Sequence, residues 1–123
     1  MLSRSRTTAV TLVAILGMSS SAWAHAHLEI AEPGKDSAIP SSPTAITLNF
    51  SEGLEPSFSS ISLTDESGVA VPLGPATVSD DTDTRLTAAP ATPLKPGKYH
   101  VTWRALSKDG HRTAGSFDFS VMP

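Results

Sequence analysis

Residues 99–106, YHVTWRAL, carry the pattern that decides the fold. The apolar side chains in this stretch alternate with polar ones and are Tyr99, Val101, Trp103 and Ala105. Such alternation is typical of a β-strand with one buried face, because successive side chains point to opposite sides of a sheet. Phe117, Phe119 and Val121 repeat the pattern near the C-terminus. We therefore predict that two long strands form a central hairpin, joined by a loop over residues 107–115.

Shorter alternating segments precede this hairpin. They contain Ile46, Leu48 and Phe50, then Ile61 and Leu63, then Val69 and Val71, and finally Leu86. Residues 65–68 form a turn sequence, most prolines fall between the candidate strands, and no window shows a helical period. Six or seven short strands separated by turns are typical of a small antiparallel, immunoglobulin-like β-sandwich with Greek-key connections. The predicted fold class is therefore all-β.

The first 24 residues have the three parts of a secretory signal peptide. Arg4 and Arg6 give a positive start, residues 9–18 are mainly apolar, and residues 22–24 (AWA) form a small-x-small cleavage site. The apolar part is too short to cross a bilayer, which needs roughly 20 residues. Cleavage would make His25 the first residue of a single mature domain, residues 25–123. A short anchor that stays attached is the alternative, and it would leave His25 without a free amine.

Charge and cysteine content limit the functions open to the mature chain. Without Arg4 and Arg6, the 9 basic and 12 acidic residues become 7 and 12, a net charge of −5. An acidic domain of this kind argues against nucleic acid or an anionic membrane as partner. The chain has no cysteine, so neither a disulfide nor a thiolate metal site is available. We expect an exported monomer without stable membrane insertion.

Two histidines each come with a second donor group at a short spacing. After cleavage His25 would offer its α-amine and its imidazole to one metal ion. Asp109 lies two residues before His111, and Gly110 between them makes the segment flexible, so a carboxylate and an imidazole can point to one centre. Two imidazoles, an amine and a carboxylate suit Cu(II) in tetragonal geometry, whereas zinc would accept the same atoms in tetrahedral geometry.

The remaining histidines and one acidic run are weaker candidates. His100 lies between inward-facing residues and is expected to face solvent, while His27 is a ligand, an outer contact of the metal or an exposed residue. Residues 80–83 (DDTD) predict an exposed loop. A calcium-binding loop is the alternative, but the segment lacks the Gly and the distal Glu of an EF-hand.

Beyond these spacings, the sequence resembles the CopC family of periplasmic copper-binding proteins over essentially the whole mature chain. The segments that carry the resemblance are residues 25–28 (HAHL) with Glu32 and Pro33, residues 48–52 (LNFSE), residues 99–111 (YHVTWRALSKDGH) and residues 115–121 (GSFDFSV). The resemblance implies a β-sandwich that binds one Cu(II) through a histidine brace, which consists of the amine and ring of His25 and the ring of His111.

The resemblance assigns two carboxylates to the surroundings of the metal. Asp109 is expected at or near the copper ion. Glu52 matches an acidic position beside the metal in some members, and is expected as a weak axial ligand or an outer contact; an exposed carboxylate at a strand end is the alternative. The resemblance also suggests a periplasmic role in copper resistance or homeostasis, with an inner-membrane copper transporter as partner.

One family feature is missing. Some members carry a methionine-rich loop for Cu(I), but Met122 is the one methionine after residue 24. We therefore expect a single Cu(II) site and a non-enzymatic carrier or buffer. Two other functions remain open from the residues themselves: a copper-brace oxidative enzyme of the monooxygenase type, and a structural sandwich that binds no metal.

Overall fold

The computed structural model describes residues 26–79 and 81–123. The predicted signal peptide and the candidate ligand His25 lie outside these residues. The described part contains nine β-strands and one short 3-10 helix, Pro56–Phe58. The strands are β1 (Leu28–Glu32), β2 (Ser37–Ile39), β3 (Ile46–Phe50), β4 (Ser60–Asp65), β5 (Ala70–Val71), β6 (Thr77–Val78), β7 (Arg85–Ala88), β8 (Gly97–Leu106) and β9 (Arg112–Val121).

These strands form two sheets. One sheet has the order β1-β3-β7-β6 and the other the order β2-β9-β8-β4-β5. The two orders correspond to the A-B-E-D and G-F-C strands of an immunoglobulin fold, and the chain passes between the sheets in Greek-key fashion. All pairs are antiparallel except β2 with β9, which is parallel. The prediction of an all-β, immunoglobulin-like sandwich is confirmed, with this parallel edge pair as an addition.

The core lies between the two sheets and follows the predicted alternation. Ile46, Leu48 and Phe50 are buried on β3, and every second residue of β8 from Tyr99 to Ala105 is buried opposite them. The rings of Phe50 and Trp103 meet edge to face with centroids 5.0 Å apart. Such an aromatic pair adds about 0.5–1.5 kcal/mol beyond the burial of its surface. The core therefore joins the sheets through the strands that the sequence pattern identified.

Tyr99 anchors the start of β8. Its hydroxyl donates a 2.6 Å hydrogen bond to the backbone oxygen of Lys95, four residues upstream. This is the tyrosine corner of immunoglobulin-like domains, in which a buried ring near the start of strand F fixes the preceding crossover. The contact explains why Tyr99 is buried although it carries a hydroxyl.

The connection between β8 and β9 is shorter than predicted. Leu106 pairs with Arg112, so the loop covers residues 107–111 rather than 107–115. The polar segment from Arg112 to Gly115 continues the strand because each residue has a partner on β8. Gly115 lies opposite Trp103, and a Cβ atom there would lie 2.6 Å from the indole ring. Gly115 is therefore a strand residue rather than the loop residue that we predicted, and a glycine is needed there because the indole leaves no room for a side chain.

Candidate metal centre

The turn that carries Asp109 and His111 is tightly hydrogen-bonded. The Ser107 amide donates to the His111 oxygen at 2.9 Å, and the Gly110 amide donates to the Ser107 oxygen at 2.9 Å. Gly110 has a φ of 91°, a conformation that residues with a Cβ rarely adopt. This backbone brings Asp109 and His111 to the same side of the turn, as the Asp-x-His spacing predicted.

The Asp109 carboxylate lies against the ring of His111. Its Oδ1 lies 3.0 Å from His111 Nδ1 and 3.2 Å from the His111 amide nitrogen, and it also accepts a hydrogen bond from the Ser107 hydroxyl. The Ser107 hydrogen bond, followed by those from His111, lowers the pKa of Asp109 to about 2. Asp109 is therefore a carboxylate at any ordinary pH. A carboxylate on one ring nitrogen is the usual companion of a histidine that binds metal through the other.

The first described residues of the chain pack against the same end of the sandwich. Ala26 is fully buried, and its carbonyl oxygen accepts a 2.9 Å hydrogen bond from Thr113 Oγ1 on β9. The His27 amide donates to Ser51 Oγ at 2.8 Å, and the Ser51 amide donates to the His27 oxygen at 2.9 Å. The residue that follows His25 is thus fixed beside β9, two residues beyond His111.

Glu52 lies on the segment between these two features. The preceding residue, Ser51, is bonded to the chain start, and the following residue, Gly53, accepts a 2.9 Å hydrogen bond from the Lys108 amide. Glu52 itself is half-buried. Within residues 26–79 and 81–123, however, no three His, Asp or Glu side chains are grouped so that they could hold a metal ion. The structure brings Asp109 and His111 together, and the role of Glu52 beside the metal stays a prediction.

A lysine of the turn makes a contact that the sequence did not predict. Lys108 Nζ forms an ion pair with Asp83, which belongs to the acidic run predicted to be an exposed loop. This hydrogen bond is the largest cause of the raised pKa of Lys108. The Asp83 oxygen also accepts a 2.7 Å hydrogen bond from the Leu54 amide. This contact could not be predicted from a local sequence pattern, because Asp83 and Lys108 are far apart along the chain.

The other two described histidines lie apart from the turn or at its margin. His100 is exposed on the outer face of β8, as predicted, and its Nδ1 lies 2.6 Å from Asp118 Oδ1. His27 is exposed, with its backbone bonded to Ser51. Neither ring belongs to a metal-binding group within the described part of the chain. No helix in that part is both long enough and apolar enough to cross a membrane.

Known proteins match this chain over nearly all of its described length. A family model for the CopC domain matches residues 28–122. Copper resistance protein C of Xanthomonas campestris pv. juglandis is 37% identical over 123 residues, which cover 96% of each chain. The crystal structure of CopC from Methylosinus trichosporium OB3b superposes with a TM-score of 0.75 at 38% identity, and covers 80% of this chain and 95% of that one.

A second solved structure agrees with these matches. PcoC, a methionine-rich copper resistance protein from Escherichia coli, superposes with a TM-score of 0.72 at 36% identity. The match covers 80% of this chain and 99% of PcoC. The resemblance inferred from the sequence and the prediction of a copper-binding protein that is not an enzyme are confirmed. The chain belongs to the CopC family of copper resistance proteins.

Proposed function

We propose that the mature chain, residues 25–123, is a periplasmic carrier or buffer that holds one Cu(II) ion through a histidine brace. Signal cleavage after Ala24 frees the α-amine of His25. That amine, the His25 ring and the His111 ring supply three nitrogen donors. Asp109 and Glu52 supply the carboxylates at or near the ion. The protein serves copper resistance or homeostasis, and an inner-membrane copper transporter is its proposed partner.

The observation that carries the proposal is the anchoring of Ala26. Thr113 fixes the Ala26 carbonyl to β9, two residues beyond His111. Consecutive Cα atoms lie about 3.8 Å apart, so a mature chain that began one residue before Ala26 would begin close to this point. A mature amino terminus that starts at residue 25 would thus be held near the Asp109–His111 turn before any metal binds. Ordering the ligands in advance lowers the entropy cost of binding.

The proposed donor set fits copper in its oxidised state. Nitrogen-rich sites suit Cu(II), which also heads the affinity order of the divalent metals. Because Asp109 lies against His111 Nδ1, the Nε2 atom of that ring is the proposed ligand. Asp109 then acts on the ion through the ring or as a weak ligand. Cu(I) prefers thioether and thiolate ligands, and the mature chain offers only Met122, so a second site for Cu(I) is not proposed.

The deciding experiment compares two amino termini. One protein begins at His25, and the other carries a single additional alanine before it, which converts the amine into an amide. We expect Cu(II) affinity, measured by competition with a chelator, to fall at least about 100-fold in the extended protein, because an amine–imidazole chelate is lost. Electron paramagnetic resonance should show fewer nitrogen couplings.

The control keeps the terminus and changes a nearby residue. A His27→Asn variant that begins at His25 should retain the copper affinity, because His27 is not part of the proposed brace. Mass spectrometry of the exported protein should find His25 as its first residue. Equal copper affinity with and without the additional alanine would refute the brace.

A further inference from the structure

An arginine pair and an exposed phenylalanine line a depression next to the Asp109–His111 turn. The depression has a volume of about 330 Å³ and is lined by Phe58, Arg104, Ala105, Arg112, Thr113 and Ala114. Arg104 and Arg112 lie on the outer face of neighbouring strands, β8 and β9. Arg112 directly follows His111 in the chain. The depression is thus continuous with the end of the sandwich that carries the candidate metal centre.

Neither arginine has a carboxylate partner among the described residues. The ion pairs within residues 26–79 and 81–123 involve Lys98, His100, Lys108 and His111. In the same residues the side chains of Arg104 and Arg112 donate no hydrogen bond, whereas Arg85 on the other sheet is bonded to Asn49. These two guanidinium groups, which have no partner within the part of the chain that the structure describes, form a local positive surface on a protein with a net charge of −3.

The exposure of Phe58 follows from how its helix is fixed. The Glu55 amide donates to the Leu106 oxygen at 2.8 Å, and the Leu106 amide donates to Ser59 Oγ at 3.2 Å. These bonds attach the 3-10 helix Pro56–Phe58 to the end of β8. The ring of Phe58 is left 64% exposed. Single exposed apolar residues are common, but this ring lies beside two arginines in one depression.

We propose that this surface binds an acidic segment of a partner protein that also carries an apolar side chain. Arginine forms paired hydrogen bonds with carboxylates, and arginine and aromatic residues dominate the energetics of protein interfaces. The carboxylates of the segment pair with Arg104 and Arg112, and its apolar side chain covers Phe58. Because the protein is acidic elsewhere, an acidic segment is attracted to this face and repelled by the rest. The partner is thereby held beside the metal centre.

The test uses a short synthetic peptide of Asp, Glu, Leu and Phe, and a matched peptide in which Asn and Gln replace the acids. Both are added to ¹⁵N-labelled protein without copper, so the result does not depend on the proposed copper site. Amide shifts should change around Phe58, Arg104 and Arg112 with the acidic peptide only. The Arg104→Gln/Arg112→Gln protein should bind at least about tenfold more weakly, and Phe58→Ser should also weaken binding. Added salt should lower the affinity.

The control removes the same charge elsewhere. The Arg85→Gln/Lys95→Gln protein should bind the acidic peptide like the unchanged protein. Equal weakening in this control would show non-specific attraction and overturn the proposal. Binding of citrate or of phosphatidylglycerol vesicles in place of the peptide would also overturn it, in favour of a small anion or a membrane. Shift changes confined to another face, or no shift changes, would do the same. Copper affinity is measured separately on the same proteins.

Discussion

Thr113 ties the start of the described chain to the strand that follows His111. Its Oγ1 donates a 2.9 Å hydrogen bond to the carbonyl oxygen of Ala26, a residue that is fully buried. The two residues are far apart in sequence, and this contact closes the sandwich at the end that carries the candidate centre. Thr113 is thus a positioning residue for the proposed amino-terminal ligand, although its own side chain is no ligand.

Replacing Thr113 with valine tests this role. The shape of the side chain is kept, but the buried Ala26 carbonyl loses its donor, which costs about 1–3 kcal/mol. We expect a lower free energy of unfolding by urea and, in the folded protein that begins at His25, a Cu(II) affinity that is about 3- to 10-fold weaker. The control is Thr64→Val on β4. Its side chain makes no hydrogen bond with any other described residue, so the change should leave copper affinity unchanged. Unchanged affinity in Thr113→Val would show that the contact is purely structural.

The Asp109 carboxylate gives a second prediction. An Asp109→Asn variant keeps the size of the side chain but removes the charge that faces His111 Nδ1. Loss of such a carboxylate partner typically weakens metal binding by about 10- to 100-fold. In the metal-free protein, the free energy of unfolding should change by less than the free energy of Cu(II) binding does. Titration with Cu(II), followed by the quenching of Trp103 fluorescence, measures the effect. Affinity within a factor of two of the unchanged protein would contradict the role given to Asp109.

The strands that the sequence predicted are those whose burial alternates. β3, β8 and β9 each have buried apolar residues at every second position over all or part of their length. This alternation can be recognised from the sequence alone. β2 and β6 contain only two or three residues and bury none fully, which leaves no such pattern. The prediction that Gly115 belongs to a loop is wrong. A glycine is needed there because the Trp103 indole on the neighbouring strand leaves no room for a Cβ atom, and the local sequence does not show this.

In the candidate site, too, local contacts could be predicted from the sequence and long-range contacts could not. The contact between Asp109 and His111 is local, so a spacing of two residues was enough to predict it. The contacts of Thr113 with Ala26 and of Lys108 with Asp83 join distant segments through polar side chains, one half-buried and one exposed. Such residues have no distinctive pattern in a single sequence, since threonines and lysines that make long-range contacts look like those that do not. Predicting these contacts requires the arrangement of the strands in the two sheets, which brings the distant segments together.

The fit of Gly115 against Trp103 predicts a large effect from one methyl group. In a Gly115→Ala variant the new Cβ would lie 2.6 Å from the indole, closer than real contacts allow. Overpacking of this kind typically costs about 1–3 kcal/mol, and we expect the free energy of unfolding to fall by that amount. Gly34→Ala is the control, because its Cβ would be 3.7 Å from the nearest atom, an ordinary contact. Equal stability of the two variants in urea would show that β9 shifts freely away from the indole.

The His100–Asp118 pair on the outer face predicts a pH effect far from the candidate centre. The hydrogen bond from His100 is the largest cause of the lowered pKa of Asp118, and Lys98 adds to it. A carboxyl with a lower pKa in the folded chain stabilises the fold above its unfolded value of about 3.9. That contribution is lost as the pH falls through the folded pKa.

A His100→Val variant should therefore raise the pKa of Asp118 toward its ordinary value, as read from an NMR titration of the carboxyl carbon. Valine suits a strand, so the backbone pairing should persist. In urea unfolding the variant should be less stable than the unchanged protein near neutral pH. The difference should shrink as the pH falls below about 4 and through the lowered pKa of Asp118, where this carboxyl becomes protonated in the folded protein as well. Thr102→Val, on the same face of β8, should show no such convergence. If the stability difference stays constant down to low pH, packing or strand propensity rather than the ion pair accounts for it.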